Sequence, residues 1–173
     1  SISQANVKRF AHNDMAQLEG KLIAALEQDP SDTHRRLIVS DGVFSMSGHV
    51  CNLPELVRLA RQYRCRLLID EAHALGALGP RGRGSADYWG MDPACIDVIT
   101  GTLAKAVGAQ GGYIVCSAQL AKVVSYEYAT NRVFSSGIPA AIAAAAVEVL
   151  RQINAWQGPQ ALEPPTTFGQ MYT

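Results

Sequence analysis

The stretch Cys65-Arg-Leu-Leu-Ile-Asp-Glu-Ala-His73 decides the fold class of this chain. Apart from Arg66, its first five residues are apolar, which is typical of a buried strand in a parallel sheet, and polar residues follow at once. Residues 37–39, 95–100 and 112–116 are predicted to form three further strands. Because helix-like segments alternate with these strands, the sequence indicates an α/β fold with a mostly parallel sheet flanked by helices.

Helices are predicted on both sides of the central stretch. Asp14 is expected to begin the first helix, and Pro54 opens the second at a first-turn position. Two later helices are predicted at residues 118–130 and 138–153. The segment Gly76-Ala-Leu-Gly-Pro-Arg-Gly-Arg-Gly84 is too rich in glycine for regular structure, so it is predicted to be a loop.

Composition narrows the possible functions. With 48% hydrophobic and 17% charged residues, a chain of 173 residues can bury one core. Fifteen basic residues balance fifteen acidic ones, so nucleic-acid binding, which needs a basic surface, is not expected. No apolar run is long enough to span a bilayer. The four widely spaced cysteines favour reduced thiols in the cytoplasm over disulfides or a zinc site.

Polar side chains collect where three of the predicted strands end. The first strand is followed by Asp41-Gly-Val-Phe-Ser-Met-Ser-Gly48, the second by Asp70-Glu-Ala-His73, and the third by Thr100-Gly-Thr-Leu-Ala-Lys105. Ligands of open α/β sheets bind beyond the carboxyl ends of the strands. A carboxylate, an imidazole, hydroxyls and an amine are therefore expected to meet at one edge of the sheet.

The tetrapeptide Asp70-Glu-Ala-His73 alone allows three interpretations. It spells the Mg²⁺-binding motif of DEAH-type helicases, but the chain has no G-x-x-x-x-G-K-[ST] loop to hold phosphates. A metal site made of Asp70, Glu71 and His73 lacks a further histidine or cysteine at ligand spacing, so no metal is predicted. The simplest interpretation of these four residues by themselves is a solvated acidic turn after a strand.

Lys105 favours a functional interpretation of these strand ends over a simple solvated turn. It lies among small and apolar residues, with no acidic residue beside it. Many such lysines lie on the surface with their stems packed on apolar neighbours, whereas an amine in a partly dry site becomes nucleophilic. The acidic strand end upstream and Thr102, three residues earlier, favour the nucleophilic amine.

These motifs together resemble the α-oxoamine synthases, a family of pyridoxal-phosphate enzymes that includes aminooxononanoate synthase, 5-aminolevulinate synthase, glycine C-acetyltransferase and serine palmitoyltransferase. The motifs that carry the resemblance are His12-Asn-Asp14, Asp41-Gly-Val-Phe-Ser-Met-Ser-Gly48, Asp70-Glu-Ala-His73, Gly101-Thr-Leu-Ala-Lys105, Gly111-Gly-Tyr-Ile114 and Phe134-Ser-Ser-Gly-Ile-Pro139. The resemblance implies that residues 1–153 are the central part of the large, pyridoxal-phosphate-binding domain of a fold-type I transferase. Residues 154–173, rich in proline and glycine, are expected to be a disordered tail.

The resemblance also implies three catalytic residues, which bind the cofactor as well. Lys105 would form the Schiff base with pyridoxal 5'-phosphate and then remove the α-proton of the substrate. Asp70 would pair with the protonated pyridine nitrogen, which keeps the ring able to accept electrons. His73 would lie near the phenolic oxygen of the cofactor and the incoming acyl group.

Three hydroxyl residues are implied to bind the cofactor only. Ser45 would hydrogen-bond near the phenolic oxygen, and Thr102 would hold the phosphate. Ser136, where the family usually has threonine, would reach the phosphate across the interface of a homodimer. Ser45 and Ser136 are equally consistent with ordinary turn hydroxyls. Ser47 and Ala104 depart from the family pattern, which affects the prediction of specificity more than that of chemistry.

The reaction implied by the resemblance is the condensation of an amino acid with an acyl-CoA to give an α-amino ketone. Two alternatives stay open: another fold-type I enzyme such as an aminotransferase, and a non-catalytic partner subunit, although retention of Lys105 and Asp70 disfavours the latter. By the resemblance, the family's ring-stacking histidine would lie before Ser1, and its carboxylate-binding arginine would follow Ile153. The chain is therefore expected to be a central fragment or truncated product that is inactive alone.

Overall fold

A four-stranded sheet organises the chain. The computed structural model describes residues 5–29, 31, 35–125 and 137–155. The strands are β1 (Leu37–Asp41), β2 (Arg66–Asp70), β3 (Val98–Thr102) and β4 (Gly112–Cys116). The helices are α1 (Met15–Gln28), α2 (Leu53–Gln62), α3 (Ser85–Tyr88), α4 (Ala118–Val123) and α5 (Ala140–Ala155). The strands lie in the order β1-β2-β3-β4; the first three are parallel and β4 is antiparallel to β3, which confirms the predicted α/β fold.

The parallel register aligns the carboxyl ends of the first three strands. Asp41 of β1 lies beside Asp70 of β2, and Asp70 lies beside Thr100 of β3. Since the chain leaves each of these strands at the same edge of the sheet, the turns that follow are brought together there. The predicted convergence of the three strand ends is thus present in the backbone.

The core lies between the sheet and helices α1 and α2. Leucines that recur at helical spacing on α2, among them Leu56 and Leu59, are fully buried together with Leu67 and Ile69 of β2. Burial of each such side chain contributes about 1.5–3 kcal/mol to folding. Pro54 occupies the first turn of α2, as the sequence predicts, and Asn52 caps the helix.

The other face of the sheet is more open than the sequence suggests. The apolar run before Asp70 predicts a strand buried on both sides, but only Leu67 and Ile69 of β2 are buried. Leu37 and Val39 of β1 are 54% and 53% exposed. The prediction of a fully buried strand is wrong because the described residues cover these two strands on one face only.

The third strand begins later than predicted. A 3₁₀ helix spans Pro93–Cys95, and Asp92 caps it by accepting a hydrogen bond from the Ala94 N–H at 2.9 Å. Proline and the capping aspartate hold these residues in a turn, so β3 starts only at Val98. The Asp97 carboxylate then accepts hydrogen bonds from the backbone of Leu67 and from a side-chain nitrogen of Arg66, which tie the start of β3 to β2.

The last two helices also differ in their bounds. The described part of α4 ends at Val123, and residues 126–136, which include the rest of the predicted helix, lie outside the description. Helix α5 begins just after Pro139, whose carbonyl accepts from the Ala143 N–H, and it extends to Ala155. Residues 156–173 of the predicted tail lie outside the described ranges. Within those ranges, no helix has the length and apolarity needed to cross a membrane.

Asp14 begins α1, as predicted, and its Oδ1 accepts a hydrogen bond from the Gln17 N–H at 2.8 Å. We expect Asp14→Ala to lower the free energy of unfolding by about 1 kcal/mol, because a free N–H is left at the helix start. Asp14→Asn, which keeps the acceptor, should change it by less than about half of that. Urea unfolding followed by circular dichroism measures both, and equal losses in the two variants would contradict the capping role.

Candidate active site

Two turns meet beyond the carboxyl ends of β2 and β3. The first, Asp70-Glu-Ala-His73, follows β2, and the second carries Lys105 after β3. The side-chain nitrogen Nζ of Lys105 lies 2.7 Å from Nε2 of His73, although 32 residues separate them in the chain. The structure thus brings together two of the residues that the sequence predicts to be catalytic.

The contact between Lys105 and His73 can hold a proton between an amine and an imidazole. Nitrogen atoms this close require one donor and one acceptor. A protonated amine donates to the imidazole, or a protonated Nε2 donates to a neutral amine. Because Lys105 is exposed and His73 is half-buried, the amine also remains open to a ligand.

Asp70 is fixed at the last position of β2. Its Oδ1 accepts a hydrogen bond from the Ala72 N–H at 2.8 Å, so the carboxylate is held by its own turn. The side chain is half-buried. A carboxylate held at this edge of the sheet is suited to pair with a cationic group of a ligand.

Thr102 shapes the turn that carries Lys105. Its hydroxyl donates to the Gly111 carbonyl at 3.3 Å and accepts from the Ala104 N–H at 3.1 Å. The Leu103 N–H donates to the same Gly111 carbonyl at 2.9 Å. The residues between β3 and β4 therefore form an ordered loop with Lys105 near its start, rather than a free connection.

The glycine-rich loop packs against this turn, and it is irregular as predicted. A Cβ at Gly76 would lie only 2.6 Å from the Cβ of Ala106, the neighbour of Lys105. Gly76 also has a φ of 79°, which favours glycine. The close approach of the two backbones thus requires glycine at this position.

Glu71 is the structural residue that the sequence analysis did not identify. Its side chain is 4% exposed, and its carboxylate accepts hydrogen bonds from the backbone N–H and the hydroxyl of Ser85. A possible indication in the sequence was strand alternation, which directs Asp70 and Glu71 to opposite faces. Since Glu71 turns into the core while His73 contacts Lys105, these residues do not form the metal-ligand set considered above.

Glycines make room for the buried Glu71 carboxylate. A Cβ at Gly42 would lie 2.8 Å from Oε2 of Glu71, and a Cβ at Gly84 would lie 2.6 Å from it. Gly101 of β3 pairs with Tyr113 of β4, and a Cβ at Gly101 would collide with the Tyr113 ring. The glycines that follow β1 and lie in β3 therefore serve the packing of two large neighbours.

Burial is the main cause of the pKa shifts of Glu71, Tyr113 and Cys51. Burial raises the pKa of Glu71, hydrogen bonds from Ser85 oppose the change, and the charge of Asp70 adds to it. Burial, with the Glu71 and Asp70 charges, raises the pKa of Tyr113 to about 12. Burial and the Glu71 charge likewise raise the pKa of Cys51 to about 12, so this thiol is unreactive near neutral pH.

The remaining predicted site residues are not brought into contact with Lys105. Ser45 lies exposed in the turn that follows β1, which closes through a hydrogen bond from the Gly48 N–H to the Phe44 carbonyl at 2.8 Å. In the described ranges, no hydrogen bond joins Ser45 to the turns that carry His73 and Lys105. Ser136 lies outside the described residues.

The chain is similar to known proteins over most of its length. Residues 1–159 match the family model for aminotransferase class I and II. Serine palmitoyltransferase 2 of Dictyostelium discoideum is 40% identical over 156 residues, which cover 88% of this chain and 32% of that protein. A putative 8-amino-7-oxononanoate synthase of Bacillus licheniformis is 43% identical over 149 residues, which cover 86% and 37%.

A solved structure, described as SPT with PLP internal aldimine, superposes with a TM-score of 0.73 at 31% sequence identity. The match covers 88% of this chain and 37% of that one. This chain therefore spans about a third of the length of the proteins that it resembles.

The packing of Glu71 against Gly42 can be tested with a double-mutant cycle. We expect Gly42→Ala to lower the free energy of unfolding by about 1–3 kcal/mol, because the new methyl group displaces a carboxylate held by Ser85. In a Glu71→Ala background the same change should cost less than about 0.5 kcal/mol. Urea denaturation of the four proteins measures the coupling, and an equal cost in both backgrounds would show that the two residues are not packed together.

Glu71 also makes stability depend on pH. Because its pKa is higher in the folded than in the unfolded chain, its stabilising contribution is present below the unfolded pKa and is lost as pH rises through the folded pKa. Between pH 4 and 7 the wild type should therefore lose more stability than Glu71→Gln. Urea unfolding of both proteins at each pH measures this difference, and the contributions of the carboxyl groups that both proteins share cancel in the comparison. Equal changes of the free energy of unfolding with pH would contradict the prediction.

Proposed function

Because the chain belongs to the aminotransferase class I and II family and its relatives include α-oxoamine synthases, we propose that it serves the condensation of an amino acid with an acyl-CoA. The product is an α-amino ketone, and the cofactor is pyridoxal 5'-phosphate. The observation that carries the proposal is the contact of Lys105 with His73, next to the strand that ends in Asp70. The activity is proposed for the protein as a whole. This chain spans 32% and 37% of the lengths of the two relatives named above.

The residues at the sheet edge fit this cofactor by the chemistry of their donor and acceptor groups. Lys105 offers an exposed primary amine for an aldehyde, and Asp70 offers a carboxylate for a protonated ring nitrogen. The loop at Gly76 packs closely against Ala106, the neighbour of Lys105. Lys105 is exposed, and its amine contacts the His73 imidazole.

When bound, pyridoxal phosphate supplies a pyridinium ring that accepts the electron pair released at the α-carbon of the substrate. Asp70 sustains this capacity by balancing the positive charge on the ring nitrogen. The hydrogen bond from the Ala72 N–H orients the carboxylate before a ligand arrives. The contribution of Asp70 is therefore electrostatic and pre-organised.

Lys105 and His73 are proposed to accept and donate protons. An amine attacks a carbonyl only in its neutral form, and the His73 imidazole at 2.7 Å is close enough to accept the proton that Lys105 must lose. The same amine is then placed to take the α-proton of the amino acid. His73 is thus both a proton partner of Lys105 and a candidate donor to the acyl group.

The phosphate of the cofactor is assigned to hydroxyl residues. Thr102 lies at the start of the Lys105 turn, where its hydroxyl already contacts backbone groups of that turn. Ser45 is proposed to approach the ring oxygen from the turn after β1, and Ser136 to complete the phosphate site across a homodimer interface. These three roles rest on the resemblance of the motifs to the family.

We further propose that the protein acts in the cytoplasm. All four cysteines are free thiols, with Cys51 and Cys65 buried, which supports a reducing compartment. The substrates proposed, an amino acid and an acyl-CoA, are small molecules.

A second candidate is amino-group transfer, which the name of the matching family favours. The two activities differ in what an amino acid alone does. An aminotransferase converts the cofactor to its pyridoxamine form, whereas a condensing enzyme waits for the acyl-CoA and then releases free CoA. Absorbance spectra recorded with glycine, alanine or serine, before and after addition of an acyl-CoA, separate the two.

The proposal predicts that pyridoxal phosphate attaches covalently to Lys105. After reduction with borohydride and proteolysis, mass spectrometry should place the pyridoxyl group on the peptide that contains Lys105. Lys105→Ala should lose the label, while Lys122→Ala, a matched change on the exposed surface of α4, should keep it. A label on Lys21 or Lys122 in the wild type, or one retained in Lys105→Ala, would refute the assignment.

A further inference from the structure

Two histidines from distant parts of the chain form a direct contact. His12 lies just before α1, and His49 follows the turn after β1. Nε2 of His12 is 2.9 Å from Nδ1 of His49, and the two ring centres are 5.1 Å apart. His12 also packs edge-on against the ring of Phe44, with ring centres 4.2 Å apart. Nothing in the proposed chemistry uses this pair.

The geometry of the pair is that of a hydrogen bond. The difference between the centre-to-centre and nitrogen-to-nitrogen distances is close to two ring radii, so both nitrogens lie near the line that joins the rings. Their lone-pair directions therefore face each other instead of converging on a third point, as they would on a metal ion. One imidazole must donate and the other accept, so the contact holds a single proton between two nitrogens.

The pair belongs to a larger junction between the start of α1 and the turn after β1. The Asn13 amide donates to the Val50 carbonyl at 2.9 Å and accepts from the Asn52 N–H at 3.2 Å. The Phe44 N–H donates to the His49 carbonyl at 2.9 Å, which ties His49 to the turn. The His12–His49 contact is thus the titratable member of a junction whose other bonds are between amide groups.

The charged residues nearby do not neutralise the pair. In the described ranges, neither imidazole forms an ion pair, and Asp14 is used to cap α1. Both rings are exposed to solvent and so to its pH. The charged residues on the elements around the pair are Lys8, Arg9, Asp14, Asp41 and Glu55.

We propose that His12 and His49 form a proton-sharing clamp that holds the turn of residues 44–48 to the start of α1. The clamp is closed when the pair is neutral, and it stays closed with one added proton, since the charged hydrogen bond is retained. A second proton makes both nitrogens donors and places two cations 2.9 Å apart, so the clamp opens. The added proton that opens the clamp is supplied by acid, so the turn is released as pH falls.

The clamp has a consequence for the cofactor. Ser45 lies in the held turn, so His12 and His49 are positioning residues for the side chain that is assigned to the cofactor ring. This consequence rests on the proposed function, whereas the clamp itself does not. The two can therefore be tested separately.

The clamp is tested by hydrogen exchange of the Phe44 and Gly48 amides, measured by NMR without cofactor and corrected for intrinsic rates. In the wild type, protection should fall roughly three- to tenfold between pH 8 and 4.5, the factor expected for one hydrogen bond of ordinary net strength. His49→Gln can still bond to His12 but cannot share a second proton, so protection should depend little on pH. His49→Ala should show low protection at both pH values.

Asn13→Gly is the matched control, because it removes the amide bonds of the same junction while tolerating the φ of 53° at this position. It should lower protection equally at both pH values and leave the pH dependence intact. The same pH dependence in the wild type and in His49→Gln would overturn the clamp. Independent titration of the two imidazole ¹⁵N signals, unchanged by removal of the partner, would overturn it as well.

The role in positioning Ser45 is tested by cofactor affinity. The ratio of pyridoxal phosphate dissociation constants at pH 8 and 4.5 should differ between the wild type and His49→Gln, and equal ratios would refute the positioning role. If Lys105 is not labelled at all, the proposed function fails. The exchange experiment still decides whether the clamp exists.

Discussion

The parallel register of β1, β2 and β3 is the constraint on which the rest of the structure depends. It places Asp41, Asp70 and Thr100 in one row at the carboxyl edge of the sheet, and the residues that follow in the next row. Strand geometry sends side chains of successive residues to opposite faces. Asp70 is therefore available to a ligand at the edge, while Glu71 turns into the protein. Shifting β2 by a single residue would exchange these positions and place the Asp70 carboxylate in the core.

Glycines around the site act through their lack of a side chain in two different ways. Gly76 has a backbone conformation that favours glycine and lies against Ala106. Gly42 and Gly101 have ordinary φ values, and what they provide is space for Glu71 and for the ring of Tyr113. The neighbourhood of the amine is thus shaped by what is absent as much as by the side chains that contact it. The buried Glu71 carboxylate accepts hydrogen bonds from Ser85, which follows the glycine-rich loop, and thereby links this loop to the end of β2.

The sequence contains most of the fold because the decisive patterns are local. Asp14 caps its helix, Asn52 and Pro54 begin the next one, and short apolar runs locate the strands. The start of β3 is predicted three residues early, because Cys95 still belongs to the turn that Asp92 and Pro93 begin and the apolar residues do not show where that turn ends. The parallel order of the strands predicts that the turns carrying His73 and Lys105 meet at one edge, but their contact at 2.7 Å is visible only in the structure. Burial of Glu71 and pairing of His12 with His49 depend on long-range packing that no local pattern records.

The loop that carries Lys105 joins two antiparallel neighbours, β3 and β4, and its ends are closed by hydrogen bonds to Gly111. Such a hairpin brings together residues that are close in the chain, so little loop entropy opposes its formation. Asp70 and His73 reach the same edge only after β2 pairs in parallel with β3 across a connection of more than twenty residues. The amine and its partners therefore come from structural units of different folding cost. During folding, the turn that carries Lys105 can form early, whereas its contact with His73 requires the slower parallel pairing.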